Sequence, residues 1–108
     1  MSLGGNTLIG TIPPAIGNLT DLTTLNMSDN QLSGNIPIEL GNLTNLLRLN
    51  LSTNQLGGPI PDSLSSLTQL TQLYLHNNDA SLCVSTADLL EFFHAINDYI
   101  GPDWICTP

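Results

Sequence analysis

Residues 8–79 are one 24-residue unit written three times, LIGTIPPAIGNLTDLTTLNMSDNQ, LSGNIPIELGNLTNLLRLNLSTNQ and LGGPIPDSLSSLTQLTQLYLHNND, and the copies agree at nine positions. A period held in register over this length makes each copy one coil. A coil this small cannot bury its own apolar face and becomes stable by stacking on its neighbours. The expected architecture is an elongated solenoid, and a stack of this kind most often serves as a binding surface.

The nine shared columns are Leu8/Leu32/Leu56, Gly10/Gly34/Gly58, Ile12/Ile36/Ile60, Pro13/Pro37/Pro61, Leu19/Leu43/Leu67, Thr20/Thr44/Thr68, Leu22/Leu46/Leu70, Leu25/Leu49/Leu73 and Asn30/Asn54/Asn78. Within each copy Leu25-x-Met27, Leu49-x-Leu51 and Leu73-x-Leu75 alternate with polar residues, the period of a strand buried on one side. Stacking sets these strands side by side at about 4.8 Å in a parallel sheet whose inward columns form a continuous core. Leu3-Gly4-Gly5-Asn6 stands 24 residues before Met27-Ser28-Asp29-Asn30, so a further strand begins upstream. Asn6, Asn30, Asn54 and Asn78 follow the strands, where an amide side chain can satisfy backbone groups of adjacent coils. Gly10, Gly34 and Gly58 are assigned to backbone conformation or close approach, and Pro13, Pro37 and Pro61 to fixing φ.

These columns resemble the plant-type leucine-rich repeat, whose consensus runs LxxLxLxxNxLxGxIPxxLGxLxx, and the Gly-x-Ile-Pro element belongs to that subtype. The resemblance covers about two thirds of the chain. It implies an α/β solenoid with a parallel sheet on the concave face, a short second strand on the flank, irregular or 3₁₀ structure on the convex side and a C-terminal helical cap. It also implies kinship with receptor-kinase ectodomains and polygalacturonase inhibitors. The chain opens in mid-repeat, without the Cys-containing N-terminal cap usual in plant receptors, so an upstream extension is expected. Residues 1–7 are read as a partial coil, 8–31, 32–55 and 56–79 as three full repeats, and 80–108 as the cap.

The repeat breaks after Asn78, where Ala80 replaces the expected leucine. Ser85-Thr86-Ala87-Asp88 offers a helix N-cap and an acidic first turn. Leu89, Phe92, Phe93, Ile96 and Ile100 then recur at helical spacing as far as Gly101-Pro102. Phe93 and Trp104 are read as core of this cap. Cys83 and Cys106, the only cysteines, bracket it. Pairing them would close a loop worth about 3 kcal/mol and place the chain in an oxidising compartment outside the cell. The alternative is two free buried thiols. These cysteines and the distant His76 and His94 show no zinc-ligand spacing, and no metal or cofactor is expected.

Net charge is −8, with Arg48 the single cation against nine acids. Such a chain cannot neutralise several phosphates and is repelled by anionic membranes, so nucleic acid and membrane insertion are excluded. No apolar run is long enough to span a bilayer, and no signal peptide opens the chain.

Strand alternation assigns the outward concave columns as Thr24/Arg48/Gln72, Asn26/Asn50/Tyr74 and Ser28/Ser52/His76. Arg48, Gln72, Tyr74 and His76 depart from the small polar theme, and together with Asn26 and Asn50 they form the candidate partner-binding set. Asn-x-Ser/Thr sequons occur at Asn18, Asn26, Asn42 and Asn50. Glycans on Asn26 and Asn50 would cover the concave face, which leaves Asn18 and Asn42 as the candidate glycosylation sites. The leading reading is a non-catalytic recognition module for a protein, peptide or glycan, from a secreted or cell-surface protein. A surface-array, antifreeze-like binder is the alternative. An enzyme built on His76 near Asp79 is the weakest, because an open solenoid face lacks a water-excluding cleft. Leu3, Leu8 and Ile9 are expected to lie uncovered at the N-terminal coil and to favour weak self-association.

Overall fold

Each coil takes the same path because the same residues recur at the same places, and the computed structural model describes that path for residues 1–107. In chain order the strands are β1 (Ile9–Gly10), β2 (Thr24–Asn26), β3 (Gln31–Gly34), β4 (Arg48–Asn50), β5 (Gln55–Leu56), β6 (Pro59–Ile60), β7 (Gln72–Tyr74), β8 (Cys83–Val84) and β9 (Asp98–Ile100). The α-helix α1 spans Ala87–His94, and 3₁₀ turns occupy Pro14–Asn18, Ile38–Asn42 and Asp62–Ser66.

The main sheet is parallel, in the order β2-β4-β7-β9, and its register sets Leu25, Leu49, Leu73 and Tyr99 side by side. The three leucines are fully buried. Residues 1–5 add a strand-like rung beside β2: Ser2 bridges Asn26, and Leu3 N donates to the Asn26 carbonyl at 2.7 Å. A second parallel ladder, β1-β3-β5, lies on the flank, and β6 pairs with β8. The 3₁₀ turns stack on the remaining side, so the leucine columns are enclosed between ladder and turns. Burying one such leucine contributes about 1.5–3 kcal/mol, and the columns run through the whole stack.

Two glycine columns set how closely the coils approach. Gly34 lies at φ +78°, a region that costs other residues, and a Cβ there would sit 2.9 Å from the Thr11 side chain. On the convex side a Cβ at Gly41 would fall 2.5 Å from the Ser63 carbonyl oxygen. Asn54 binds the coils together: its Oδ1 accepts from Leu32 N at 3.0 Å, and its Nδ2 donates to the carbonyls of Met27, Leu51 and Ser52. Asn30 and Asn78 repeat the arrangement.

The cap departs from expectation in two ways. The helix starts as read, with Thr86 Oγ1 accepting from Leu89 N at 3.2 Å, but it ends at His94 rather than running to Ile100. Asp98–Ile100 forms β9 instead, because the last repeat strand leaves an edge of unpaired backbone groups that a parallel neighbour satisfies. Leu75 N accordingly donates to the Ile100 carbonyl at 2.7 Å. Tyr99 then stands in the leucine column, its ring 5.2 Å from that of the fully buried Phe93 and its hydroxyl donating to the Pro102 carbonyl. Trp104, expected in this core, is 53% exposed. Val84 N holds its carbonyl at 3.0 Å, so this stretch runs along the surface as a strap while Phe93, Leu89 and Tyr99 close the end. Cys83 and Cys106 form a disulfide with Cα atoms 5.1 Å apart. Ser85 and Thr86 both donate to Asp62 Oδ1, tying the cap to the last 3₁₀ turn.

At the other end Leu3 is partly covered, whereas Leu8 and Ile9 are exposed, Ile9 to 74%.

Candidate recognition surface

Strand register places Thr24, Arg48, Gln72 and Asp98 in one outward row of the main sheet, and Asn26, Asn50, Tyr74 and Ile100 in the next. The rows are held in place by the inward residues between and beside them, Leu25, Met27, Leu49, Leu51, Leu73 and Leu75 in the core and Tyr99 packed against it. Neighbouring side chains in a row are about 4.8 Å apart, close enough for one extended partner to span several strands.

The expected third row does not reach solvent in the first two repeats. Ser28 and Ser52 are buried, at 7% and 5% exposure. Their burial follows from the residues before them: Asn26 Oδ1 accepts from both Ser28 N and Ser28 Oγ, and Asn50 Oδ1 does the same for Ser52. These Asn-x-Ser units are local turns closed by their own side chains. Asn26 and Asn50, expected as contact residues, therefore present only part of their amides.

Tyr74 and Gln72 are also committed. Tyr74 Oη donates to Asp98 Oδ2, and Gln72 Nε2 donates to Tyr74 Oη at 2.9 Å and to Asp98 Oδ2 at 3.2 Å. Both side chains are partly buried, so the expectation that they stand free in solvent is corrected. Asp98 was not singled out in the sequence because it lay inside the expected helix. The bonds from Tyr74 and then Gln72 hold its carboxyl below the usual 3.8, and Asp98 in turn raises the Tyr74 phenol above 10.0. The result is a closed polar cluster at the C-terminal edge of the sheet. His76 packs edge-on to Tyr74, with ring centroids 5.7 Å apart.

Arg48 differs from all of these. It is exposed, and among the described residues its guanidinium makes no ion pair or hydrogen bond. It sits between Thr24 and Gln72, one strand from the Asp98 cluster. The geometry brings Arg48, Gln72 and Tyr74 onto adjacent strands. It does not join His76 to Asp79, whose Oδ1 accepts from Ser81 N at 2.8 Å. Asn18 and Asn42 are exposed at the ends of 3₁₀ turns, away from the concave rows.

Comparison with known proteins places this geometry. The family model for the leucine rich repeat matches residues 1–19, 21–43 and 45–67. A plant peptide hormone receptor, RGFR1, solved in complex with RGF2, is 38% identical, with a TM-score of 0.77 over 90% of this chain and 15% of that one. A chain of the BIR3–SERK2 complex from Arabidopsis thaliana is 35% identical, with a TM-score of 0.78 over 99% of this chain and 60% of that one. A plant ice-binding protein matches at 25% identity and a TM-score of 0.63, over 99% of this chain and 39% of that one. The chain thus spans between 15% and 60% of the lengths of these structures. A search of curated protein sequences found no match.

Proposed function

The chain belongs to the leucine rich repeat family, and we propose that it is a non-catalytic recognition module that binds a protein or peptide through the concave rows around Arg48. The observation that carries this reading is Arg48 itself: the one cation of a chain of net charge −8, held on a rigid strand with no partner among the described residues. A lone charge in that setting offers a partner a directional, bidentate contact with a carboxylate or carbonyl group, and its surroundings lose little order on binding. The peptide-hormone receptor and the receptor complex among the similar structures support the same class of partner. In this reading residues 1–79 supply the recognition repeats and 80–108 the closing cap. The chain acts as part of a secreted or cell-surface protein, in keeping with the Cys83–Cys106 disulfide.

The antifreeze-like alternative needs a flat, regular array. Arg48 and the bonded Tyr74–Gln72–Asp98 cluster interrupt the rows, and Ser28 and Ser52 are withdrawn from them. Nothing in the rows favours a sugar over a polypeptide. For catalysis, the Asp79 carboxylate is engaged by Ser81, and no bond among the described residues joins it to His76.

The test uses immobilised protein to isolate a partner from material of its native surface, followed by affinity measurement with the purified partner. Arg48→Ala should leave stability within about 0.5 kcal/mol of the parent, because the residue is exposed and its side chain makes no bond among the described residues. Affinity should fall by about 1–2 kcal/mol or more. Equal affinity in parent and variant would move the site off the concave face.

A further inference from the structure

Trp104 is the chain's only tryptophan and is 53% exposed, yet the backbone beneath it is rigid. Val84 N donates to the Trp104 carbonyl at 3.0 Å, Cys106 N donates to the Val84 carbonyl at 2.9 Å, and Cys106 is disulfide-bonded to Cys83. An exposed aromatic held in this way loses little conformational freedom on contact, which is the property of interface anchors.

Trp104 borders a cleft of about 170 Å³ whose walls include Leu75, His76, Asp79, Leu82 and Pro102. Of the two polar side chains in these walls with an atom lacking a partner among the described residues, His76 keeps its Nδ1 shut off from solvent and out of a ligand's reach, which leaves Asp79. Asp79 gives Oδ1 to Ser81 N, while Oδ2 has no partner among the described residues. The Ser81 amide, then its hydroxyl, hold the Asp79 carboxyl below 3.8, so it is charged at neutral pH. Asn78 also lines the cleft, but its donors are committed to the carbonyls of Leu51, Leu75 and His76.

We propose that this cleft receives an arginine side chain from a protein partner, with the guanidinium stacked on Trp104 and donating to Asp79 Oδ2. Charge complementarity selects a cation, since the chain is strongly acidic and Arg48 does not line the cleft. The indole face adds cation–π attraction, strongest for tryptophan among the aromatic side chains. Arginine fits better than lysine because its planar group stacks on the indole while presenting in-plane donors to the carboxylate, whereas an ammonium is a compact point charge. The cleft shares His76 with the expected third concave row, but Arg48, Gln72 and Tyr74 do not line it, and it does not depend on the function proposed for them.

Trp104 emission reports on the cleft directly, because no other tryptophan contributes. Intact protein is titrated with an acetylated, amidated glycine-arginine-glycine peptide and with the same peptide carrying neutral citrulline. The arginine peptide should produce a saturable emission change with a dissociation constant on the order of 1 mM, weakened by about 0.5 M salt. The citrulline peptide should bind at least about tenfold more weakly. So should Asp79→Asn, which keeps an acceptor for Ser81 N. An emission signal that does not saturate, or equal affinities for the arginine and citrulline peptides, would overturn the proposal. Asp79→Asn binding as tightly as the parent would remove its anionic acceptor and overturn it as well.

Discussion

Asparagines that occupy one column of the repeat do different amounts of work. Asn54 connects two coils through buried bonds, whereas Asn6 donates only to Leu3 and Gly4 of its own exposed turn. Asn54→Ala should therefore destabilise by about 1–3 kcal/mol and Asn6→Ala by clearly less, as thermal or denaturant unfolding of the two variants would measure. The Asn column was legible because the residue is invariant. The residue before it was not: Gly5, Asp29, Thr53 and Asn77 share a left-handed backbone, at φ +68°, +56°, +57° and +56°. Four different residues fill that one conformation, so no sequence column announces it. The Tyr74–Asp98 bond was hidden for a related reason, since it links a repeat to a segment outside the period. It predicts a pH response of definite sign. Asp98 has a lowered folded pKa, so its contribution is complete above the ordinary value of 3.8 and lost as pH falls through the folded one. Tyr74 and Tyr99 are both raised, Tyr74 chiefly by its bond to Asp98 and Tyr99 chiefly by burial, so their contributions are present below 10.0 and lost as pH rises through the folded values. An absorbance titration of the folded protein should show no phenolate step at 10.0. A normal step there from Tyr74 would mean that the cluster does not form.

At the scale of the element, the repeats were readable and the cap only half so. Leucine alternation located β2, β4 and β7 because the core demands one apolar residue per rung. The cap's helix start was readable from Thr86, which accepts from the third residue on as an N-cap should. Its end was misread because Ile96 and Ile100 fit helical spacing, while the competing demand came from the open edge of β7, which no local pattern records. β9 also falls out of phase, with Asp98 paired to Gln72 at a separation of 26 rather than 24 residues. The misplacement of Trp104 has the same origin: its position follows from the strap that Cys106 anchors, not from hydrophobicity. The disulfide closes a loop with a sequence separation of 23. Unfolded, unreduced protein should show no free thiol. Reduction should cost about 3 kcal/mol and lower the melting temperature. An unchanged melting temperature after complete reduction would mean that Asp62, Phe93 and β9 hold the cap without it.

Taken as a whole, the molecule is asymmetric in a way that bears on recognition. Its rigid sheet runs from the residue 1–5 rung to β9. At the C-terminal edge the polar groups are bonded to one another through Asp98, and the Arg48 strand next to them keeps an unpaired cation. Equal stacking of coils gives the scaffold, and the departures from equality distinguish one part of the face from another. The charge balance was legible from composition, and the candidate row through Arg48 from strand alternation. The bonding that withdraws Tyr74, Gln72, Ser28 and Ser52 required the fold. Amide hydrogen exchange across the chain, measured with and without the purified partner, tests the concave assignment most directly. The account predicts added protection concentrated in residues 24–26, 48–50 and 72–74, lost in Arg48→Ala at equal partner concentration. Protection confined to the 3₁₀ turns at Pro14–Asn18, Ile38–Asn42 and Asp62–Ser66, with those strands unchanged, would contradict it.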